Sequence, residues 1–301
     1  MDLLLYWPAR LLVALIQALP LPLVARLGRA GGGLAYWLDA RHRRVALKNL
    51  MMCLGNEKSP EEIRALAREN FRRIGENFAS AVKTAAMDQA ALRAHVEFAG
   101  GERVQPPRRV VGAIGHFGNF ELYARVHQFV PGYQSATTYR ALKHPALNGL
   151  LQALRGGSGC LYFERRTDGP LLRAAMARPN IMLGLLADQS TPGLRGPFLG
   201  HDCSTTLAPA VFALRYHCEM YTVVCFRVGL AKWRIEFGEP VPTQENGRPR
   251  SAKDIMSDVN RAFETAVRRD PANWFWVHKR WKPDSPRNRR RKSPVTAPAA
   301  G

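Results

Sequence analysis

The stretch VVGAIGHFGNFE, residues 110–121, decides the fold class of this chain. It begins with an apolar run, 110–115, whose length and composition are typical of a strand buried on both faces of a sheet. His116 follows this run directly, and residues 120–130 are then predicted to form a helix. A buried strand that passes straight into a helix indicates an α/β layer with a parallel sheet.

Strands and helices alternate along the chain downstream of this stretch. The fold class that we expect is therefore α/β, with a mostly parallel central sheet flanked by helices and room for antiparallel strands at its edges. Further strands are predicted at 135–139, 161–163, 181–187, 221–228 and 233–237, and further helices at 59–83, 145–155, 169–178 and 206–217.

Polar residues follow two of these strands, and both belong at the same edge of the sheet. His116 comes after the strand 110–115, and Asp188 comes after the strand 181–187. If the two strands are parallel, their carboxyl ends meet at one edge, where ligands bind in open α/β sheets. We therefore expect the functional site at this edge.

The pair His116 and Glu121 is a candidate for acid–base chemistry. The two side chains can meet if His116 lies in a loop and Glu121 lies in the first turn of the next helix. Gly118 would loosen the corner between them, and Asn119 would cap the helix. A carboxylate that accepts the imidazole N–H fixes the tautomer, so the other ring nitrogen can take a proton from a hydroxyl. A His near a Glu is more often structural, but the place at a strand end favours catalysis.

The charge balance indicates an anionic partner. The chain of 301 residues carries 44 Lys and Arg against 24 Asp and Glu, a formal net charge of +20. Nucleic acid, a phospholipid leaflet, an acidic protein or a phosphorylated substrate would each suit such a protein. A hydrophobic fraction of 46% excludes wholesale disorder. The five cysteines form no C-x-x-C pair, so we predict thiols in a reducing compartment and no metal site.

Residues 3–38 are the most apolar part of the chain. Only fifteen uncharged residues separate Arg10 from Arg26, whereas a spanning helix needs roughly 20. A basic cluster follows within 41–48, so a hydrophobic helical membrane anchor that lies at the interface is favoured over a buried helix pair. We divide the chain into a membrane-association segment, 1–48, an α/β domain, 49–283, and a disordered basic tail, 284–301.

Several motifs, in order along the chain, carry a family resemblance. They are HFGNFE at 116–121, Tyr139-Arg140, His144-Pro145, Arg155, Glu164-Arg165, Asp188-Gln189, PFLG at 197–200, STT at 204–206 and NWFWVHKRWK at 273–282. Together they resemble the lipid A biosynthesis acyltransferases of Gram-negative inner membranes, and 116–121 alone resembles the glycerolipid acyltransferase motif. Three features depart from the family pattern: His144 stands where Asn is more usual, the segment Gly156-Gly157-Ser158-Gly159 is looser, and the loop after Gln189 is short.

The resemblance implies direct acyl transfer. His116 would be the general base on an acceptor hydroxyl that attacks a fatty acyl thioester, with Glu121 orienting the imidazole. Backbone N–H groups near Gly118 and the guanidinium of Arg155 are the candidate oxyanion donors. Asp188 would position Arg155 or a loop at the catalytic edge. The predicted substrate-binding residues are Gly118, Asn119, Arg140, Arg165 and Gln189, of which the two arginines suit phosphate groups.

The expected function is that of an O-acyltransferase on the cytoplasmic face of the inner membrane. Acyl carrier protein or coenzyme A would carry the acyl group to an anionic lipid A precursor or related glycolipid, and no cofactor is expected. One alternative keeps the reaction and changes the acceptor to a phosphoinositide mannoside or an aminolipid. Another is a non-enzymatic basic protein that binds membranes or nucleic acid, although no nucleic-acid motif is present.

The aromatic cluster near the C-terminus has a different prediction. Trp274, Phe275 and Trp281 are expected to pack in the core against the sheet. His278 is expected to be a hydrogen-bonded structural histidine. Cys160 is not expected to be a nucleophile, because direct transfer needs no acyl-enzyme.

Overall fold

The computed structural model describes residues 2–191 and 194–282. Its helices are α1 (Asp2–Ala18), α2 (Leu21–Leu38), α3 (Ala40–Leu54), α4 (Pro60–Ala85), α5 (Gln89–Arg93), α6 (Pro145–Gly156), α7 (Gly169–Met176), α8 (Ala208–Tyr216) and α9 (Ala252–Arg269), with 3₁₀ helices at Gly101–Arg103, Phe120–Gln128 and Pro271–Asn273. Its strands are β1 (Val96–Ala99), β2 (Val110–Ile114), β3 (Gln134–Tyr139), β4 (Leu161–Glu164), β5 (Ile181–Leu186), β6 (Leu194–Phe198), β7 (His201–Thr205), β8 (Glu219–Gly229), β9 (Lys232–Pro240), β10 (Gln244–Glu245) and β11 (Arg248–Pro249). The tail predicted to be disordered, 284–301, lies outside the described residues.

Seven strands form the central sheet, in the order β1-β9-β8-β2-β5-β3-β4. Every neighbouring pair in it is parallel except β8 with β9. The prediction of an α/β fold with a mostly parallel sheet is confirmed. The antiparallel pair lies one strand in from the edge, because β1 adds outside β9 in parallel register. Strand β1 and the β6–β7 hairpin are not among the predicted strands, since their short segments carry no continuous apolar run.

Strand β2 is buried along its whole length. Val111 and Ala113 belong to the apolar cluster that includes α8 and α9, whereas Val110 and Ile114 belong to the cluster on the opposite face. That second cluster includes the 3₁₀ helix Phe120–Gln128. The alternation follows from the period of two along a strand. Both faces of β2 are therefore covered, and the residues that follow β2 lie at the carboxyl edge of the sheet.

The two N-terminal helices are separated at Pro20, which caps α2. Helix α1 packs on α4 and α6, and α2 packs along α4. The α2–α4 contact is close enough to require glycine, because a Cβ on Gly32 would lie 2.2 Å from the carbonyl oxygen of Phe71. In the described part of the chain, every helix is too short or too polar to cross a bilayer.

Candidate active site

His116 and Asp188 meet at the carboxyl edge of the sheet, which confirms the prediction that they share an edge. Strands β2 and β5 are parallel neighbours, with Ile114 opposite Leu186. The backbone N–H of His116 donates to Asp188 Oδ2 at 2.7 Å, and its Nδ1 lies 2.8 Å from Oδ1. The indole N–H of Trp274 donates to Oδ2 at 2.8 Å. Asp188 is only 1% exposed, so these donors surround a carboxylate that is shielded from water.

The Asp188 carboxylate keeps its charge despite this burial. Burial alone would raise its pKa, but the attraction of His116 and the hydrogen bonds from His116 and Trp274 lower the pKa to about 2. A charged acceptor beside Nδ1 holds the imidazole proton there, so Nε2 carries the lone pair. The side-chain nitrogen of Gln189 lies 3.1 Å from that Nε2. His116 thus has the tautomer that a general base requires.

Glu121 is hydrogen-bonded to Arg155 of α6, at 2.6 and 3.1 Å, and the predicted Glu121–His116 contact is wrong. The reason lies in the 3₁₀ helix Phe120–Gln128, where successive side chains are about 120° apart. Phe120 packs against the imidazole of His116, with ring centroids 4.9 Å apart, so Glu121 is turned to another side. Of the two expectations for Asp188, a contact with Arg155 is wrong and a role in positioning a loop at the catalytic edge is confirmed, because Asp188 holds His116 and its loop.

The corner after His116 needs a glycine but no side-chain cap. Gly118 has φ +52°, and a Cβ there would lie 2.5 Å from the carbonyl oxygen of Cys225. Its N–H donates to the carbonyl oxygen of Asn273 at 3.1 Å, so this predicted oxyanion donor is already engaged. The side chain of Asn119 does not cap the 3₁₀ helix. The amide nitrogen of Asn119 lies 3.5 Å from Thr84 Oγ1, and its buried Oδ1 has no partner among the described residues.

A mostly apolar cavity lies beside the Glu121–Arg155 pair, between the sheet and the 3₁₀ helix Phe120–Gln128. Gly112 of β2 and Gly184 of β5 lie opposite each other in register and line the cavity, so they leave part of its sheet wall without side chains. We call it the inner cavity. Phe120 and Glu121 also line a second pocket, to which His116 belongs.

The predicted phosphate ligands lie at the same edge of the sheet. Arg140 follows β3 and Arg165 follows β4, and these strands are parallel, with Tyr139 opposite Glu164. Both arginines are exposed, and within the described residues neither guanidinium has a hydrogen-bond or ion-pair partner. Glu164 does not pair with the Arg165 side chain, because its carboxylate accepts backbone N–H groups of the loop that follows. The roles of Arg140 and Arg165 stay predictions.

The aromatic segment near the C-terminus forms a wall of the site. Trp274 is buried as predicted, but its hydrogen bond to Asp188 was not expected from the sequence. Phe275 stacks on the imidazole of His116 at 5.8 Å between ring centroids. Arg280 is fully buried and donates to the carbonyl oxygens of Gln189 and Ser204. The dense aromatic motif at 273–282 was the available signal, but its pattern does not show which side chains meet Asp188.

His278 departs from its prediction. Its Nδ1 is buried and has no hydrogen-bond partner in the described part of the chain. Burial lowers the pKa of its imidazole to about 4. His278 is therefore held in the neutral form near the charged groups of the site.

The described residues contain no group of three or more His, Cys, Asp or Glu side chains that could hold a metal ion. All the cysteines are free thiols. Burial raises the pKa of the Cys160 thiol to about 12, and a thiol of this kind is a poor nucleophile. The acid–base pair that the site offers is therefore His116 with Asp188.

Comparison with known proteins gives the class. The chain is 23% identical to the lipid A biosynthesis palmitoleoyltransferase of Escherichia coli (strain K12), over 88% of this chain and 86% of the relative. A lipid A biosynthesis acyltransferase of Shigella flexneri gives the same figures. The lauroyltransferase of lipid A biosynthesis in Escherichia coli (strain K12) is 22% identical, over 89% of this chain and 88% of the relative. The protein is an acyltransferase.

The family follows from a broader match. The model of the bacterial lipid A biosynthesis acyltransferases matches residues 2–283, and the chain belongs to this family. The match spans the N-terminal helices, the sheet and the aromatic segment at 273–282. Family membership excludes the alternative of a non-enzymatic basic binding protein.

Proposed function

We propose that this protein transfers a fatty acyl group from an acyl-carrier-protein thioester to a hydroxyl of a lipid A precursor or related glycolipid. The observation that carries the proposal is the His116–Asp188 pair next to the inner cavity. His116 Nε2 takes the proton of the acceptor hydroxyl, whose oxygen attacks the thioester carbonyl. The carbon–sulfur bond then breaks, and the carrier thiolate leaves and takes up a proton. No covalent acyl-enzyme forms.

Arg155 is the proposed donor to the oxyanion. Its Nε and Nη2 are engaged by Glu121, and this bidentate contact orients the planar guanidinium so that Nη1 is left for the substrate. The Glu121–Arg155 pair also lines the inner cavity. A thioester carbonyl at this position would have its acyl chain in the cavity and its carbon within reach of a hydroxyl on the His116 side.

The acyl chain of the donor is proposed to lie in the inner cavity. The paired glycines Gly112 and Gly184 open the sheet wall, and the side chain nearest to a Cβ on Gly184 would be Ile114, at 3.5 Å. Gly184→Val would therefore narrow the cavity without a backbone clash. We expect this variant to prefer acyl chains shorter by two or more carbons than those that the wild type transfers, and mass spectrometry of the products measures the difference.

The acceptor phosphates are proposed to bind Arg140 and Arg165. Both guanidinium groups are exposed at the edge that carries His116. Asn119 and Gln189, on the two sides of the histidine, are proposed to contact the sugar. Arginine suits phosphate because its planar fork can donate two parallel hydrogen bonds.

The N-terminal helices are proposed to attach the protein to the cytoplasmic face of the inner membrane without spanning it. Large apolar side chains on α1 and α2 are exposed, up to 74% for Leu38. An apolar patch of this kind marks a membrane or protein contact. The net charge of +20 adds attraction to an anionic leaflet and to an acidic carrier protein. The exposed residues are Leu5, Trp7, Leu11, Leu12, Leu15, Leu23, Leu27, Leu34, Trp37 and Leu38.

The test uses the purified full-length protein with a mixed pool of acyl-carrier-protein thioesters and several glycolipids, lipid A precursors among them. Mass spectrometry of the lipids is expected to show one added acyl group on a phosphorylated glucosamine disaccharide lipid. The His116→Ala protein serves as the matched control. Transfer only to a phosphoinositide mannoside or an aminolipid, or none from any thioester, contradicts the proposal.

A further inference from the structure

A second apolar groove lies between the N-terminal helices and the pocket that contains His116. It lies between α2, α4 and the segment 275–277. Ile74 and Phe275 line both this groove and the pocket that contains His116. The groove therefore adjoins the histidine pocket. We call it the outer groove, since it opens along the exposed side of α2.

The floor of the outer groove contains a glycine that helix packing does not explain. Gly28 and Gly32 of α2 both lie against α4, where a Cβ would approach backbone atoms to 2.6 Å and 2.2 Å. Gly31 differs from both, because a Cβ on it would meet nothing within 4 Å. A glycine inside a helix destabilises it by about 1 kcal/mol relative to alanine. The missing side chain at Gly31 therefore serves the open space of the groove.

The surroundings of the groove suit hydrocarbon. Along α2 the exposed neighbours of Gly31 include Leu27 and Leu34, which we assign to the membrane surface. The ion pair between His42 and Asp39, at 2.6 Å, marks the polar end of the groove. At the other end Phe275 stacks on His116. Between these ends, Phe71, Ile74 and Phe275 provide apolar contacts for a hydrocarbon chain.

We propose that the outer groove binds a hydrocarbon chain that the acceptor lipid already carries; this inference rests on the proposed function. Phe120 and Glu121 line both the inner cavity and the histidine pocket, whereas Ile74 and Phe275 line both the histidine pocket and the outer groove, so the histidine pocket lies between the two. The donor chain and the acceptor chain therefore approach the reacting atoms from two sides. The acceptor chain enters from the leaflet, so its headgroup hydroxyl arrives beside His116.

The kinetic test compares Gly31→Phe with Gly33→Phe. Both variants add the same side chain to the same exposed helix, but a Cβ on Gly33 meets only the side chain of Arg72, at 3.6 Å, outside the groove. The acceptors are a bisphosphorylated glucosamine disaccharide lipid with long acyl chains and its analogue with butyryl chains. Gly31→Phe is expected to raise the KM of the long-chain lipid about tenfold or more and leave that of the butyryl analogue unchanged. Gly33→Phe is expected to leave both unchanged.

A binding readout separates this inference from the proposed function. The long-chain lipid, with a diazirine near the end of one acyl chain, is photolysed with the full-length protein in detergent micelles and the labelled peptides are identified. Label on α2 and on 275–277, lost in Gly31→Phe, supports the groove even if the wild type transfers no acyl group. Label elsewhere, or equal kinetics for the two glycine variants while the wild type is active, overturns it.

Discussion

Two hydrogen-bonded pairs border the site, and they are built differently. Asp188 lies under His116, almost fully buried, and accepts hydrogen bonds from a backbone amide, an imidazole and an indole. The Glu121–Arg155 pair lies at the inner cavity, with side chains 29% and 17% exposed. The first arrangement holds one tautomer in one orientation. The second is partly hydrated, so a substrate can reach its guanidinium. The proposed transfer needs both a base held in one orientation and a hydrogen-bond donor that the substrate can reach.

The largest effect is expected at the buried pair. His116→Ala removes the base and is expected to lower kcat by about 10²–10⁴-fold. Asp188→Asn should lower kcat too, because an amide cannot accept from all three donors and no longer fixes the tautomer. Steady-state acyl transfer measures both. Asp202→Asn, at an exposed position of the β6–β7 hairpin, is the control that should keep wild-type kcat. A His116→Ala protein with the wild-type kcat would contradict the proposed role of His116 as the base.

The second prediction concerns acid stability at the same carboxylate. The pKa of Asp188 is lowered in the folded protein, from 3.8 to about 2, so its charged form contributes about 2 kcal/mol to stability above pH 4. The unfolded chain binds the proton first as the pH falls, so this contribution declines by roughly 1 kcal/mol between pH 6 and pH 3. Urea unfolding of the wild type and Asp188→Asn should therefore show a difference in unfolding free energy that becomes smaller from pH 6 to pH 3. A difference in unfolding free energy that stays constant with pH would contradict a lowered pKa of Asp188 in the folded protein.

The third prediction sharpens the difference between the two pairs. Glu121→Gln and Arg155→Gln are each expected to lower kcat/KM by about tenfold, and the double variant by little more, a coupling of about 1 kcal/mol. Their pH–rate profiles should match the wild type, since neither residue touches His116. Asp188→Asn should instead shift the profile. A second double-mutant cycle combines Glu121→Gln with His116→Ala. Strong coupling between these two substitutions would indicate that Glu121 contacts His116 in the working enzyme.

The smallest effects are expected at arginines that lack a carboxylate partner in the described residues. Arg140→Ala and Arg165→Ala should each raise the KM of the phosphorylated acceptor about two- to fivefold, as is usual for exposed ionic contacts. The increase should shrink at high salt, because salt screens exposed charges. Arg178→Ala is the matched control, since Arg178 is exposed before β5, at the opposite edge of the sheet. Equal effects from all three variants would contradict a phosphate site at the edge.

The fold was largely predictable because its central strands are short apolar runs. The predicted strand 110–115 is β2 plus the residue after it, and the predicted strand 181–187 is β5 plus one residue. The predicted helix at 120–130 is a 3₁₀ helix instead. The spacing of apolar residues does not distinguish an α-helix from a 3₁₀ helix over nine residues. The 3₁₀ geometry turns the Glu121 side chain away from His116. Strand β1 was not predicted, because four residues of mixed polarity are too few to show the alternation typical of a strand.

The edge of the site was predictable, and the contacts within it were not. Strand order placed His116 and Asp188 together, since the ends of parallel neighbours converge. The partner of His116 depends on the direction of single side chains, and sequence spacing favoured Glu121. Trp274 lies 86 positions from Asp188, so no local pattern could join its indole to that carboxylate.

By itself, the sequence determined the layered α/β fold, the histidine at a strand end and the positive charge, because these depend on composition and short-range periodicity. Only the tertiary structure decided that Asp188 holds His116, that Glu121 holds Arg155, and that Gly31 lies over open space. Each of these depends on distances between segments far apart in the chain. Such distances are set by how helices and strands pack, because packing brings together residues whose spacing in the sequence carries no record of their contact.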